Sequence, residues 1–252
     1  MIRQASAGEL DTLLPHTEAA LKICGLYQAY GADKSFCRFW KWGQGGYLAS
    51  LDGAAVLYAN EEKGWEELSV FLQMSPDIRS LRTDEEAARQ LSERLDLPAV
   101  YGTVMQPAGR IYPAADGPEV KSAPPRELYP LLSLCFPGEL PSFESWYADI
   151  SHRFRHGCCR IAAVWEDGQL AACCMTTAEG GGGALIGAVA THPDKRGRGY
   201  ASACVTSMAD CLQKQNRTVY LSPKNEPAHR LYQRLGFVDT GRWGSLVLPN
   251  GG

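Results

Sequence analysis

From residue 120 onward, hydrophobic residues recur at spacings typical first of a strand and then of two helices. Residues 120–122 form a short strand candidate. Pro124 and Pro125 suit the first turn of a leucine-rich helix, and Ser142 is placed to cap a helix that carries Trp146. The start of the second half therefore predicts a mixed α/β arrangement.

Three strands are predicted next, and the third leads into a basic loop. Residues 159–165 and 169–177 have the pattern of a hairpin, and a looser, glycine-rich turn follows at Glu179. Residues 184–190 are largely apolar, as expected for a buried central strand. After the loop, the pattern predicts a helix, a strand, a second helix that ends near Gly236, and one or two final strands.

The first half has a similar order of predicted elements. In chain order, the pattern predicts a strand at 2–4, a helix, a hairpin at 47–58, a strand at 68–74, a helix opened by a capping box at Thr83–Glu86, and a strand at 101–105.

A short segment rich in proline, alanine and glycine, residues 113–118, separates the halves. We therefore predict an N-terminal domain at 1–115 and a C-terminal domain at 119–252. The expected class is α+β or mixed α/β, with a central mixed, mostly antiparallel sheet flanked by helices in each domain.

The composition of the chain argues against several kinds of binding partner. The 252 residues are 45% hydrophobic, which is enough for a packed core. The formal net charge of -3 provides no overall basic field, so we expect neither nucleic acid nor a membrane surface as a partner. The nine cysteines form no C-x-x-C pair and have no histidine at zinc spacing, so we predict no metal site. No apolar run follows Met1, and a reduced, cytoplasmic protein is the simplest expectation.

The loop after the apolar strand carries the clearest chemistry. Residues 192–201 place glycines and arginines between the end of a strand and the start of a helix. Unpaired amides at a helix N-terminus, glycines that allow close approach, and flanking arginines together make a site for a phosphate or pyrophosphate. A P-loop would need Gly-Lys-Ser/Thr, and a dinucleotide-binding fingerprint would need a third glycine early in a parallel unit; neither pattern is present.

Two motifs resemble those of the GNAT superfamily of N-acetyltransferases. Arg196, Gly199 and Ala201 match its Gln/Arg-x-x-Gly-x-Gly/Ala loop. Residues 225–237 match its Asn-x-x-Ala-x-x-Leu/Phe-Tyr-x-x-x-Gly-Phe segment, at the expected distance along the chain. The resemblance covers about the last half of the chain and is strongest over 184–237.

The resemblance implies an acyl-CoA-dependent enzyme, most simply one that transfers acetyl from acetyl-CoA to an amine, and it implies roles for particular residues. Tyr232 would be the general acid, and Asn225 would contact the cofactor across the cleft. The remaining cofactor-binding residues would be a strand edge and a loop, namely Val189, Ala190, Thr191, Arg196, Gly197, Arg198, Gly199, Tyr200 and Ala201.

The general base stays unassigned. Residues 184–190 contain no carboxylate, unlike the version of the family with a glutamate on this strand. Glu179 and His192 are candidates, but a solvated turn residue and a surface residue are the simpler interpretations. Paired cysteines at 158–159 and 173–174 are expected to be small buried hydrophobic residues, and an acyl-carrying cysteine is the minor alternative.

Several further questions stay open from the sequence. In the first half, residues 75–83 occupy the place we assign to the basic loop and contain no glycine, so we interpret this half as a degenerate GNAT-like domain without a cofactor loop. The acceptor is an unidentified small molecule or peptide amine, and both monomer and homodimer fit the sequence. A non-catalytic acyl-CoA sensor is the alternative function.

Overall fold

The computed structural model describes residues 1–61 and 63–249 of the chain. They form two units. Unit 1 contains Met1–Val104 together with the chain from Thr240 onward, and unit 2 contains Met105–Asp239. The chain leaves unit 1 within β6 (Ala99–Pro107) and returns to it within β11 (Phe237–Val247).

Unit 1 is a mixed sheet flanked by helices. Its other strands are β1 (Ile2–Gln4), β2 (Cys37–Trp42), β3 (Gly46–Leu51), β4 (Ala54–Tyr58) and β5 (Ser80–Asp84). Its helices are α1 (Ala7–Asp11), α2 (Glu18–Tyr30), α3 (Trp65–Gln73) and α4 (Glu85–Leu95).

The strands of unit 1 lie in chain order from β1 to β5. Neighbouring strands are antiparallel except β4 and β5, which are parallel. Residues 243–247 of β11 pair antiparallel with β5. Leu246 of β11 is fully buried in the same core cluster as Leu81 of β5 and Leu91 of α4. The last strand of the chain is therefore part of the core of unit 1.

Unit 2 repeats this plan. Its complete strands are β7 (Ile161–Glu166), β8 (Gln169–Gly180), β9 (Gly183–Thr191) and β10 (Thr218–Leu221). Its helices are α5 (Pro125–Cys135), α6 (Phe143–Arg155), α7 (Tyr200–Lys214) and α8 (Glu226–Arg234).

The sheet of unit 2 is also mixed and mostly antiparallel. β7, β8 and β9 form an antiparallel meander, β9 and β10 are parallel, and β10 pairs antiparallel with β6 at Leu221 and Met105. In both units, two helices precede a three-stranded meander, a helix crosses to a parallel strand, and another helix follows. The predicted fold class is confirmed.

Several predicted elements are confirmed by the structure. The hairpin of β3 and β4 turns at Asp52 and Gly53, α5 has a proline in its first turn, and Ser142 accepts a hydrogen bond from the Ser145 amide as the cap of α6. The predicted domain limits of 1–115 and 119–252 stay a prediction, although residues 243–247 pair with β5 of unit 1.

Other predicted elements are wrong. Residues 68–74, predicted as a strand, lie in and directly after α3, because Leu68 and Leu72 are buried at helical spacing while Val70 between them is exposed. The helix predicted from Thr83 is capped by Asp84, without a side-chain hydrogen bond, so there is no capping box. Residues 120–122 make an isolated bridge between Lys121 and Ala163 instead of a strand.

Candidate functional site

A cavity of about 560 Å³ lies within unit 2. Its walls are the end of β9, the loop and first turn of α7, one face of α8, and the end of α5. It brings together ten of the predicted site residues, namely Val189, Ala190, Thr191, Arg196, Gly197, Gly199, Tyr200, Ala201, Asn225 and Tyr232. A volume in this range is typical of a site for a small molecule or cofactor.

The strand β9 separates from β10 where it reaches the cavity. Their parallel pairing ends at Ile186 and Leu221, whereas β9 continues to Thr191. Ala188 has a φ of +48°, and the register between β8 and β9 shifts at this point. A left-handed alanine costs on the order of 1–3 kcal/mol and persists only where the surrounding structure enforces it. The backbone edge of residues 187–191 that faces away from β8 is therefore available to a ligand.

The loop that follows presents backbone amides without partners at the start of α7. Gly197 and Gly199 both have a φ of +79°, and Gly199 begins α7 without a side-chain cap. The first helical hydrogen bond runs from the Ala203 amide to the Gly199 carbonyl at 3.0 Å, so the preceding amides have no intrahelical acceptor. A Cβ atom placed on either glycine would meet no protein atom within 4 Å. The space in front of these amides is therefore open to a phosphate.

The side chains around the cavity make it electropositive. Lys195, Arg196 and Arg234 line it, and no aspartate or glutamate is among the described residues of its wall. This contrasts with the net charge of -3 for the whole chain. The local field therefore favours a ligand with several negative charges.

Glu166, at the end of β7, holds the basic loop from outside the cavity. Its carboxylate lies 2.9 Å from Lys195 Nζ and 2.7 Å from an Arg198 guanidinium nitrogen, and it accepts a hydrogen bond from the Tyr200 hydroxyl at 2.5 Å. Hydrogen bonds from Tyr200 and Lys195 lower the pKa of Glu166 to about 2. Arg198, predicted to bind the cofactor, does not line the cavity, because its guanidinium is bound to Glu166.

Helix α8 forms the opposite wall. The Oδ1 atom of Asn225 accepts a hydrogen bond from the Ala228 amide at 3.0 Å, so this residue caps the helix while it lines the cavity. Tyr232 is only 4% exposed and also lines the cavity. Burial raises the pKa of the Tyr232 hydroxyl, and the nearby Cys174 adds to the rise. The phenol therefore stays protonated well above neutral pH.

The surroundings of Glu179 differ from those of a solvated turn residue, which was the simpler interpretation of the sequence. It lies in β8 instead of a turn, and its side chain is fully buried. Its carboxylate accepts hydrogen bonds from Arg160 at 2.9 Å and from the Thr176 hydroxyl at 3.2 Å. Glu179 does not line the cavity and lies in an internal ion pair, so it is not placed to act as the base. His192 is half-buried, and its ring accepts from the Asp194 amide at 3.4 Å.

The paired cysteines are buried, as expected. Cys173 and Cys174 are fully buried in two different core clusters, because β8 is covered on both faces. Burial raises the pKa of the Cys174 thiol well above its ordinary value. A thiol held in this way is a poor nucleophile, so burial disfavours Cys173 and Cys174 as acyl carriers.

Three residues of this site were absent from the sequence interpretation. Glu166 could not have been found, because its contacts with the loop join parts of the chain about thirty residues apart. Cys135 lines the cavity and its thiol lies 3.4 Å from the Thr191 carbonyl oxygen, which is again a long-range contact. Arg234 had a usable signal, since it follows Leu231 by three residues on α8 and is therefore its neighbour on the helix surface.

Comparison with solved structures shows the same fold over nearly the whole chain. A GCN5-related N-acetyltransferase from Kribbella flavida is 16% identical, with a TM-score of 0.66, and the match covers 93% of this chain and 95% of that one. A GCN5-related N-acetyltransferase from Sphaerobacter thermophilus is also 16% identical, with a TM-score of 0.64 and coverage of 100% and 96%.

A third solved structure is itself a tandem protein. This tandem GNAT protein from the clavulanic acid biosynthesis pathway is 14% identical, with a TM-score of 0.63, and the match covers 100% of this chain and 99% of that one. Its coverage supports two successive GNAT-like folds in the present chain. No curated protein matches the sequence.

No helix within residues 1–61 and 63–249 is long and apolar enough to cross a membrane. The same part of the chain contains no group of three or more histidine, cysteine, aspartate or glutamate side chains placed to hold a metal ion.

The sequence itself matches the acetyltransferase (GNAT) family over residues 126–237. This segment contains α5, the meander, the basic loop and α8, and so includes every element that lines the cavity. The family indicates acyl transfer as the class of activity, with an acyl-CoA and an acceptor as substrates. Residues 126–237, which lie within the C-terminal half of the chain, belong to the GNAT family.

Proposed function

We propose that unit 2 transfers an acetyl group from acetyl-CoA to an amine by direct transfer between two substrates bound together. The observation that carries this proposal is the cavity, which joins an uncapped helix N-terminus, an unpaired strand edge and a buried tyrosine. Each of these features suits a different part of acetyl-CoA.

Three features of the cavity support acetyl-CoA as its ligand. The open space in front of the Gly197 and Gly199 amides accommodates a pyrophosphate, and the cationic wall compensates its charge. The backbone edge of residues 187–190, which lies beyond the last pairing with β10, offers donors and acceptors to the amide groups of the pantetheine arm. Ala228 and Leu231 supply an apolar surface for its methylene groups.

The protein would contribute orientation and a proton donor. Acetyl-CoA supplies the activated thioester. Holding both substrates in one cavity removes much of the entropic barrier of a bimolecular reaction. Val189 and Ala190 would place backbone groups beside the thioester end. Tyr232 lines the cavity and stays protonated, so its hydroxyl can donate a hydrogen bond to the departing sulfur, whose thiol form has a pKa of about 8.5.

A second candidate function is a sensor that binds acyl-CoA without turnover. The observation that favours it is the absence of a carboxylate from the described residues of the cavity wall, together with the internal ion pair of Glu179. Under this function the cofactor would bind and no acceptor would release free CoA.

One experiment separates the two functions. Binding of acetyl-CoA is measured by calorimetry, and free CoA is then followed across a panel of primary amines, amino acids, polyamines and peptide N-termini. Binding with release for at least one amine supports the enzyme. Binding without release for the whole panel supports the sensor, and a failure to bind acetyl-CoA at all contradicts both.

A further inference from the structure

We propose that Lys224 forms a strap across the open end of the cavity, and that this strap must open before an acyl-CoA enters or leaves. The strap consists of the ion pair between Lys224 and Glu139 together with the contact of Lys224 on the Phe136 ring. The inference rests on the proposed acyl-CoA site, and it concerns access to that site rather than a contact with the ligand.

The strap joins two walls of the cavity that lie on opposite faces of the sheet. Helix α5 packs through Leu128 and Leu132 on the core cluster of one face, whereas α8 packs through Tyr232 on the core cluster of the other face. Phe136, just after α5, and Asn225, at the start of α8, both line the cavity. Because the pairing of β9 with β10 has already ended at this point, the sheet does not connect these two walls.

Lys224 makes the connection from the segment just before α8. Its Nζ atom lies 5.3 Å from the centre of the Phe136 ring and pairs with a carboxylate oxygen of Glu139. The Glu139 amide donates to the Phe136 carbonyl oxygen at 3.2 Å, so both partners of Lys224 belong to one turn after α5. Lys224 directly precedes Asn225, which caps α8. Each end of the strap is therefore at, or directly beside, a residue of the cavity wall.

The strap is weak enough to open during binding. The side chains of Lys224 and Glu139 are 54% and 50% exposed. An exposed ion pair and an exposed cation–π contact each shift an equilibrium by no more than about 5-fold, so the strap is closed for most of the time and still opens readily. Neither charged residue is among the described residues of the cavity wall, so the strap can form again over a bound ligand. It should therefore slow entry and exit to a similar extent and leave the affinity nearly unchanged.

The experiment measures the association and dissociation rate constants of acetyl-CoA on the immobilised full chain by surface plasmon resonance. Lys224→Gln and Glu139→Gln each break the ion pair, and each is expected to raise both rate constants about 2- to 5-fold with little change in the dissociation constant. The exchange of Lys224→Glu with Glu139→Lys keeps both the pair and the net charge, so its rate constants should return towards those of the wild type. Acetyl-CoA is polyanionic, so electrostatic steering alone would change the association rate in opposite directions in the two single variants.

Lys121→Gln is the matched control. Lys121 and Glu119 form another exposed ion pair of unit 2, at 2.8 Å, and neither is among the described residues of the cavity wall. This variant should keep both rate constants of the wild type. The strap would be overturned by opposite changes in the two single variants, by unchanged rates in both, or by an exchange variant no closer to the wild type than they are. A wild-type protein that binds no acetyl-CoA would instead contradict the proposed function, on which the strap rests.

Discussion

At the scale of single residues, the surroundings of Tyr232 decide what it can do. It is buried on α8, beside Cys174, and it is one of the residues that line the cavity. The raised pKa keeps its hydroxyl protonated at neutral pH, so Tyr232 can donate a hydrogen bond but cannot act as a base. A tyrosine outside the cavity would bury similar area without this chemical role.

Tyr232→Phe should therefore lower the turnover number by about 10²–10⁴, the usual contribution of a general acid. Acetyl-CoA affinity should change little, because the ring and its packing remain. Steady-state rates and calorimetric affinities measured on the same preparation check both parts. Tyr220→Phe, in the buried strand β10 and outside the cavity wall, is the control and should retain its turnover. Normal turnover in the Tyr232 variant would remove this residue from the mechanism.

Alanine substitutions at two glycines of unit 2 can distinguish the cost of backbone strain from an effect on ligand binding. Gly199 has a φ of +79° and faces the cavity, whereas Gly168 has a φ of +75° in the turn between β7 and β8. A Cβ atom at either position meets no protein atom within 4 Å. Alanine therefore has a similar conformational cost at the two positions. The positions differ because Gly199 lines the cavity and Gly168 does not.

Gly199→Ala and Gly168→Ala should each destabilise the protein by about 1–2 kcal/mol, the cost of a left-handed alanine. Only Gly199→Ala should also weaken acetyl-CoA binding, by at least about 10-fold, because its methyl group enters the space before the helix amides. Chemical denaturation gives the first quantity and calorimetry the second. Equal binding by the two variants would show that the ligand does not approach Gly199.

At the scale of elements, the basic loop could be predicted because its residues are adjacent in sequence. The side chains packed around it could not be predicted, because they come from distant parts of the chain. Glycines, a following apolar helix and flanking arginines are all adjacent in sequence, so residues 196–201 could be predicted as an anion site. Glu166 and Glu179 could not be placed, because their partners lie elsewhere in the chain. The helix α3 was missed because a short apolar run fits both a strand and a buried helix face.

The junction of β5 and α4 contains a buried charge cluster in unit 1. Glu18 is 3% exposed and lies 2.7 Å from Arg82 and 3.0 Å from Lys22. Asp84, two residues after Arg82, has its pKa raised to about 6 by burial and by the charge of Glu18. Ionised Asp84 is therefore less favourable in the folded chain than in the unfolded chain, where the pKa of an aspartate is about 3.9.

Because the folded-state pKa of Asp84 is raised, its effect on stability has a definite sign. Below about pH 4 Asp84 is protonated in both states and does not change the free energy of unfolding. Between about pH 4 and 6 it is ionised mainly in the unfolded chain, so the free energy of unfolding falls as pH rises, and above about pH 6 this loss is complete. Asp84→Asn should therefore raise the free energy of unfolding at pH 7 by about 1–2 kcal/mol and by much less at pH 4. Urea denaturation at both values measures this. Glu93→Gln, an exposed carboxylate on α4 paired with Arg89, should show no such pH dependence.

At the scale of the whole chain, the same plan occurs twice but with opposite local charge. The counterpart of the basic loop is the segment between β4 and α3, and not residues 75–83 as the sequence suggested, because α3 had been overlooked. Gly64 begins α3 with a φ of +87° and no side-chain cap, as Gly199 begins α7. The first turn of α3 carries Glu66 and Glu67, whereas that of α7 has no acidic residue.

These differences predict one acyl-CoA site per chain. Carboxylates at the start of α3 oppose a pyrophosphate, and a Cβ on Gly64 would lie 3.0 Å from the Trp42 indole nitrogen, so the space before this helix is occupied. Calorimetry with acetyl-CoA should give a stoichiometry of one, and Arg196→Glu should abolish the whole signal instead of half of it. A second binding event that survives Arg196→Glu would mean that unit 1 also binds the cofactor, despite the charge at α3.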